Sequence, residues 1–466
     1  MNNNSMIKAL KVFIPCVIFS VFFLTHPSNL VSVEGWRLLG LFIATIVALM
    51  IKASANSKIA LISLTTAIVM QIIPVQKALS AFSSPVIWMI FTVCFMAKAL
   101  INVGLSTRIA YIFARLFGNN EVGLAYSLVC TDVLIAPFIP SSTAKAGGII
   151  LPVINEMSKF KKTIKEEENL KNFLCLVYSH TVCITGAMFL TGTAGNPVLC
   201  NIAKVSGINL QWWNWCIAAA LPGIISLFFL PLFIKKYFKF DTSESFKQLA
   251  VQASTSMHPF SRKEKILLIT LTLVLSLWIV GPKYGISNVT ATLVGVSILL
   301  ITDVLSVNDI ISHKSAWDIF LWFGIVVLLG EQLEKSGIIG YYGSLLGQCI
   351  PGNNWALSFL IIVFAYFYSH YLFAGAIPHI SSMYGICLSL AIHANVPPML
   401  AALSLAFCSS LFMSLTHYAG GATVILFADT TLESKMWCKI GFILSSLNLC
   451  IWIVAGLSWW KLLNIW

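Results

Sequence analysis

The sequence predicts an all-α polytopic membrane protein, and three observations carry that expectation. Hydrophobic residues fill 58% of the 466 positions and charged residues only 10%, with a mean hydropathy of +0.88, far from the balance of soluble domains. Apolar runs suited to crossing a bilayer as helices recur along the whole chain. Two of these regions are interrupted by glycine, proline and polar residues. Irregular backbone at membrane depth is tolerated only where protein buries it or it lines a watery cavity.

Lys8 and Lys11 precede an apolar run from Val12 to Leu24. It resembles a signal peptide, but no small-residue cleavage site follows, so residues 1–35 are expected to hold a first spanning helix. Apolar stretches follow near 36–51, 59–73 and 84–103. The runs 121–139 and 144–157 flank the break Ile139-Pro140-Ser141-Ser142-Thr143-Ala144-Lys145-Ala146-Gly147-Gly148. Several runs are short for a full crossing, and this pair suits a re-entrant hairpin better than two spans. Further stretches lie near 172–190, 213–234, 266–281, 288–303 and 317–334. The runs 355–373 and 378–394 flank a second break, and 399–415 and 437–464 close the chain. Lys235 to Lys265 is polar and basic and reads as a linker. The division expected is therefore 36–240, a cytoplasmic linker at 241–265, and 266–466.

An internal repeat supports two halves. Phe95-Met96-Ala97-Lys98-Ala99-Leu100-Ile101-Asn102-Val103-Gly104 loosely matches Leu328-Leu329-Gly330-Glu331-Gln332-Leu333-Glu334-Lys335-Ser336-Gly337, 233 positions on. Gly118-Asn119-Asn120 matches Gly352-Asn353-Asn354, 234 positions on, and the same offset carries Ser141-Ser142-Thr143 onto Gly375-Ala376-Ile377. After Gly104 the first copy carries Arg108 and Arg115 and returns into Lys159, Lys161, Lys162 and Lys165, whereas 338–354 holds no lysine or arginine. Basic loops stay cytoplasmic, so the copies are expected to face opposite ways as inverted repeats, with a site at their interface near the midplane. The same rule accounts for the net charge of +12 without a nucleic-acid partner.

Each half offers two polar interruptions. The first has Ser141, Ser142 and Thr143, then Thr191-Gly192-Thr193-Ala194-Gly195-Asn196-Pro197; the second has Gly375-Ala376-Ile377-Pro378-His379, then Thr416-His417-Tyr418-Ala419-Gly420-Gly421. Hydroxyl, amide and carbonyl oxygens are hard ligands for a small cation, and half-helix N-termini favour a carboxylate. Lys145 either balances an anion or snorkels to water. Asp132, Lys98 and Glu331 are further intramembrane charges, with a buried ion pair or a cavity as the expected surroundings. Trp212, Trp213 and Trp215 read as an interfacial belt. The twelve cysteines show no C-x-x-C spacing; Cys94, Cys130, Cys183, Cys216, Cys408 and Cys450 fall in apolar runs and read as small hydrophobes. No H-E-x-x-H, G-x-S-x-G or nucleotide-binding glycine motif occurs in a suitable context, so no enzyme is predicted.

Pro140-Ser141-Ser142-Thr143-Ala144-Lys145-Ala146-Gly147-Gly148 resembles the Pro-Ser-Asn-Thr-Ala-Arg-x-Gly-Gly signature of the divalent anion/sodium symporter family, in its 2-oxoglutarate/malate translocator branch. Tyr366-Phe367-Tyr368-Ser369-His370-Tyr371-Leu372-Phe373-Ala374, His379-Ile380-Ser381-Ser382-Met383-Tyr384, Ser414-Leu415-Thr416-His417-Tyr418 and Trp459-Trp460-Lys461-Leu462-Leu463 resemble later motifs of that branch. The resemblance implies eleven transmembrane helices plus two re-entrant hairpins in two inverted repeats, a homodimer embedded in membrane lipid, and elevator-like alternating access. It implies a multi-pass carrier of small dicarboxylate anions in the cytoplasmic (inner) membrane, with citrate or tartrate/succinate exchange and a passive anion channel as alternatives. Substrate contacts then fall on Ser141, Ser142, Thr143, Lys145, Thr193, Asn196, His379, Thr416 and His417. The coupling ion Na⁺, if used, falls at Ser141, Ser142, Gly192, Gly375 and Gly420; no other cofactor is expected. Two departures stand out: Ser142 replaces an asparagine, and Gly375-Ala376-Ile377 replaces a hydroxyl-bearing second motif. Exchange and sodium symport both remain open on the sequence.

Overall fold

A computed structural model describes residues 3–25, 32–159, 161, 163–240, 246, 251, 259–338, 354–373 and 375–466. Most of the linker 241–265, the uncharged segment after Ile338 and Ala374 lie outside the described residues. The described residues form helices without strands, eight of them long and apolar enough to cross a membrane.

The chain opens with α1 (Asn3–Leu24), α2 (Val33–Met50), α3 (Asn56–Val69), the short α4 (Val75–Leu79) and α5 (Pro85–Val103). Gly104, at φ +76, ends α5 and starts the amphipathic α6 (Leu105–Phe117). Glycine adopts that left-handed turn at no steric cost. The second half repeats this order. After the linker come α13 (Arg262–Val280), α14 (Asn288–Ile301), the short α15 (Val307–Ile311) and α16 (Lys314–Lys335). The two series interlock, since α5 packs on α14 while α16 packs on α3. Thr92 donates to Thr292 at 2.7 Å across the first of these contacts.

Between the series lie α7 (Glu121–Ile135), α8 (Ser142–Lys145), α9 (Leu151–Ser158), α10 (Ile164–Met188), α11 (Asn196–Val205) and α12 (Trp212–Lys235). Their counterparts are α17 (Trp355–Tyr368), α18 (Ala376–His379), α19 (Gly385–His393), α20 (Pro398–Leu411), α21 (Gly421–Ala428) and α22 (Ser434–Leu462). The hairpins α7–α9 and α17–α19 keep the offset of 234 at the starts of all three helices. They also share a π-helical stretch, at Ala146–Ile150 and at Ile380–Tyr384. The paired asparagines explain why the register holds. Asn120 caps α7 by accepting from the Gly123 N–H at 2.8 Å, and Asn354 caps α17 by accepting from the Ala356 and Leu357 N–H groups. Such caps satisfy N–H groups that helix geometry leaves unpaired.

The tryptophans after the first loop do not form a belt. Trp212 and Trp215 are buried, and their indole N–H groups donate to Thr191 Oγ1 and the Ala187 carbonyl; Trp213 alone of the three is exposed. They are braces from α12 to the end of α10 and to the loop after it. An indole buries a large apolar area while its N–H finds an acceptor.

Candidate functional site

At the first break the chain tightens into a 3₁₀ turn over Ala136–Phe138, runs extended through Ile139–Ser141, and re-enters helix at Ser142. Ser141 caps the new helix, its Oγ accepting from the Ala144 N–H at 3.2 Å. Ser141 and Ser142 are half-buried and Thr143 is exposed. The three hydroxyls therefore stand at the opening of the second arm. At the second break the 3₁₀ turn is Ser369–Leu372, and Gly375 takes φ +122 before α18 begins without a side-chain cap. Gly375, Ala376, Ile377 and Pro378 are half-buried and bring only backbone groups.

One turn into each return arm the structure places an equivalent pair. Lys145 Nζ lies 3.0 Å from Asp132 Oδ2, both side chains fully buried. Tyr178 donates to Asp132 Oδ1 at 2.7 Å, Thr185 donates to Asp132 Oδ2, and Lys145 reaches Thr185 Oγ1 at 3.4 Å. Lys145 thus does not snorkel: its ammonium is held inside the hairpin by a carboxylate. Two charges withdrawn from water need this density of partners to persist. The positions 234 further on are Tyr366 and His379, whose rings lie 4.7 Å apart. His379 is fully buried, with Nδ1 3.0 Å from His370 Nδ1 and Nε2 3.0 Å from Ser369 Oγ. Phe373 and Phe412 pack on its ring at 4.5 and 4.6 Å. His370 Nε2 donates to the Ala419 carbonyl at 3.0 Å, because a carbonyl can only accept.

In the first unwound loop, Thr193 donates to Asn196 Oδ1 at 3.1 Å, and Asn196 Nδ2 donates to the carbonyls of Gly186 and Phe189 at 2.7 and 2.9 Å. Thr193 and Asn196 are buried and bonded to the protein. Gly192 is tightly packed, since a Cβ there would stand 3.0 Å from the Thr185 carbonyl oxygen. In the second loop the Thr416 hydroxyl is buried without a hydrogen-bond partner among the described residues. His417 is half-buried, 3.8 Å from Cys438 Sγ and tilted against the Phe427 ring at 4.6 Å. The Gly420 N–H donates to Thr423 Oγ1 at 3.0 Å.

These four breaks join in a closed ring. Thr191 donates to the Pro137 carbonyl at 2.6 Å, tying the first loop to the first hairpin. The first loop meets the second half through Ser410, which donates to Asn196 Oδ1 at 3.3 Å, and through Gly195, whose Cβ would lie 2.6 Å from Ile380 Cδ1. His370 ties the second hairpin to the second loop at Ala419. Thr143 closes the ring, its Oγ1 only 2.3 Å from where a Cβ on Gly421 would stand. Each hairpin is held at its tip by its own loop and along its return arm by the loop of the other half.

Sequence reasoning did not single out Tyr178, Thr185, Ser410 or Phe412. Tyr178 and Thr185 are seven residues apart on one helix, hence on one face, and that spacing opposite an intramembrane Asp132 was the available signal.

Broken helices paired across two like halves define a membrane transporter rather than an enzyme. Residues 6–466 match the family described as the sodium:sulfate symporter transmembrane region. The chain belongs to that family, the divalent anion/sodium symporters, and is a multi-pass protein of the cytoplasmic membrane. It is 36% identical over 452 residues to the putative malate transporter YflS of Bacillus subtilis, covering 96% of this chain and 94% of that one. It is 35% identical over 454 residues to the chloroplastic dicarboxylate transporter 1 of Spinacia oleracea, covering 96% and 80%. The inner membrane protein YbhI of Escherichia coli is 29% identical over 478 residues, covering 100% and 99%.

Proposed function

We propose that the chain carries small dicarboxylates of the 2-oxoglutarate and malate class across the cytoplasmic membrane, as an exchanger. The observation that carries this reading is the ring of four breaks, which puts the hydroxyl of Thr143 against the N-terminus of a helix from the other half, with Ser142 next to it in the chain. Hydroxyl hydrogens and helix N-termini are donors suited to a carboxylate, and a diacid offers one carboxylate to each half. The relatives named for malate and dicarboxylates favour the same class. A cavity of about 370 Å³ lined by Leu190, Pro197, Asn201, Lys204 and Gln211, with others, opens beside the first loop.

The residues fit sodium unequally. In the first half Ser142 Oγ and the Gly192 carbonyl are hard oxygen donors, whereas Ser141 Oγ already accepts from Ala144. In the second, Gly375 and Gly420 bring backbone alone. Each hairpin instead carries a nitrogen base of its own, Lys145 and His379, at equivalent positions. That supports exchange without sodium: the empty carrier reorients poorly, and a bound diacid releases it. The charge pattern supports oppositely facing halves, and the interlocked hairpins support movement of the hairpin bundle as a body within a homodimer.

Proteoliposomes test the reading. Uptake of labelled 2-oxoglutarate should require internal malate and be unchanged when external sodium is replaced by choline. Sodium-dependent uptake into malate-free vesicles would establish symport, and no flux under any combination would reject dicarboxylate transport.

A further inference from the structure

Glu331 is an intramembrane charge for which the site just described has no use. It lies on α16, inside the apolar stretch Lys314–Leu333, and is half-buried. Its counterpart in the first half, Lys98, stands near Asp309, which accepts from Asn102 at 3.0 Å. Glu331 has no hydrogen bond or ion pair with any described residue. An ionisable side chain at this depth is costly unless something compensates it.

Its surroundings say what the compensation is. Glu331, Asn201 and Ser381 line one small cavity of about 10 Å³, beside a larger apolar crevice of about 360 Å³ that Glu331 and Ser381 also line. Asn201 belongs to α11 and Ser381 to the π-helical stretch of the second hairpin. Asn201 is 6% exposed, and its Nδ2 is buried without a partner among the described residues; the Ser381 hydroxyl oxygen is in the same condition. Two unpartnered polar groups thus line the cavity that the carboxylate lines, from the hairpin bundle. A space of this size holds about one water. Lys335 on α16 and Lys204 on α11 are the charged groups acting on Glu331. The residues lining the crevice from α2 and from the second hairpin include no titratable side chain.

We propose that Glu331, Asn201 and Ser381 form a proton-binding site between α16 and the hairpin bundle, and that Glu331 must take up a proton before the bundle passes it. The inference rests on the exchange reading above. An ionised carboxylate between apolar walls resists desolvation as the wall moves, whereas the neutral acid can donate to Ser381 or a bridging water and accept from Asn201. The proton comes from water in the crevice and returns there, so the site gates movement and adds no net charge to the exchange.

Two measurements test it. In proteoliposomes at equal pH on both sides, 2-oxoglutarate/malate exchange should fall about fivefold from about pH 5.5 to about pH 8, as a carboxyl in an apolar site loses its proton. Glu331→Gln, which mimics the neutral acid, should hold the low-pH rate throughout, and Glu331→Asp should keep a pH dependence. Separately, in the native chain, dicyclohexylcarbodiimide should modify Glu331 faster at low pH. The protonated acid adds across a C=N bond, its proton going to nitrogen and its oxygen to carbon, and the O-acylisourea rearranges to an N-acylurea detected by peptide mass. A Glu331→Gln variant that exchanges with the native pH profile overturns the proposal, and so does carbodiimide labelling that is absent or indifferent to pH. The labelling needs no transport, so it decides the proposal even where exchange itself is not observed.

Discussion

In the first hairpin a lysine one turn past the break meets an aspartate at 3.0 Å; in the second, 234 residues on, a histidine occupies the same turn and lies against tyrosine, phenylalanine and a second histidine. The starts of the three helices and the π-helical stretch share one offset. What differs is how each hairpin holds a nitrogen base out of water. The first does so with an opposite charge and two hydroxyl-bearing neighbours, Tyr178 and Thr185, the second with aromatic faces and a chain of neutral hydrogen bonds. The same architecture therefore tolerates two electrostatic solutions, and they should fail differently.

The largest expected effect is on the charged side. Asp132→Ala leaves the Lys145 ammonium buried and unpaired and should cost about 3–5 kcal/mol, read as loss of folded protein in a thermal-stability measurement. Asp132→Leu with Lys145→Met removes both charges and should return stability to within about 2 kcal/mol of the native chain. A double variant as unstable as the single would show that the pair does more than neutralise itself. On the aromatic side, His379→Ala strips a buried ring from between Phe373 and Phe412, with an expected loss of about 2–4 kcal/mol.

Packing across the halves offers a finer contrast. In Gly421→Ala the new Cβ meets the hydroxyl of a β-branched threonine, whereas in Gly195→Ala it meets the flexible end of Ile380. Gly421→Ala should cost about 1–3 kcal/mol and Gly195→Ala less, with the transport losses in the same order. Equal losses would mean that Thr143 yields as freely as an isoleucine tip. Thr143→Ala and Ser142→Ala should lower exchange about tenfold by removing donors from the anion, while Ser158→Ala, at the far end of the return arm, should leave it unchanged. The smallest stability effect belongs to Thr416→Val. Its hydroxyl has no partner, so the isosteric change should be neutral or stabilising by up to about 1 kcal/mol. Exchange that falls nonetheless would place that hydroxyl on the substrate.

The legible part of this molecule was its punctuation. Proline, glycine and asparagine are local signals, and Gly118-Asn119-Asn120 with its distant copy located both hairpins because the asparagines do the same capping work in each. What stayed hidden depends on helices distant in sequence. Nothing near Lys145 announces that Asp132, Tyr178 and Thr185 enclose it, nor that Asn196, in a polar loop suited to ligand binding, spends its amide on Gly186, Phe189 and Ser410. The buried tryptophans mislead for the same reason: a Trp-rich stretch at a helix start has the composition of an interface, and only the acceptors Thr191 and Ala187 reveal it as a brace. The π-helical stretches leave no trace in composition, since an extra residue in one turn changes no periodic pattern strongly.

Gly375 sets a limit on how the second hairpin can be altered. At φ +122 with no heavy atom within 4 Å of a notional Cβ, there is room for a side chain but no comfortable backbone for one. Gly375→Ser would restore a hydroxyl where Ser141 has one, at a strain of about 1–3 kcal/mol, unless the turn itself were rebuilt. Grafting the chemistry of one tip onto the other is thus obstructed by geometry, and any reversion toward matched tips has to reshape the main chain first.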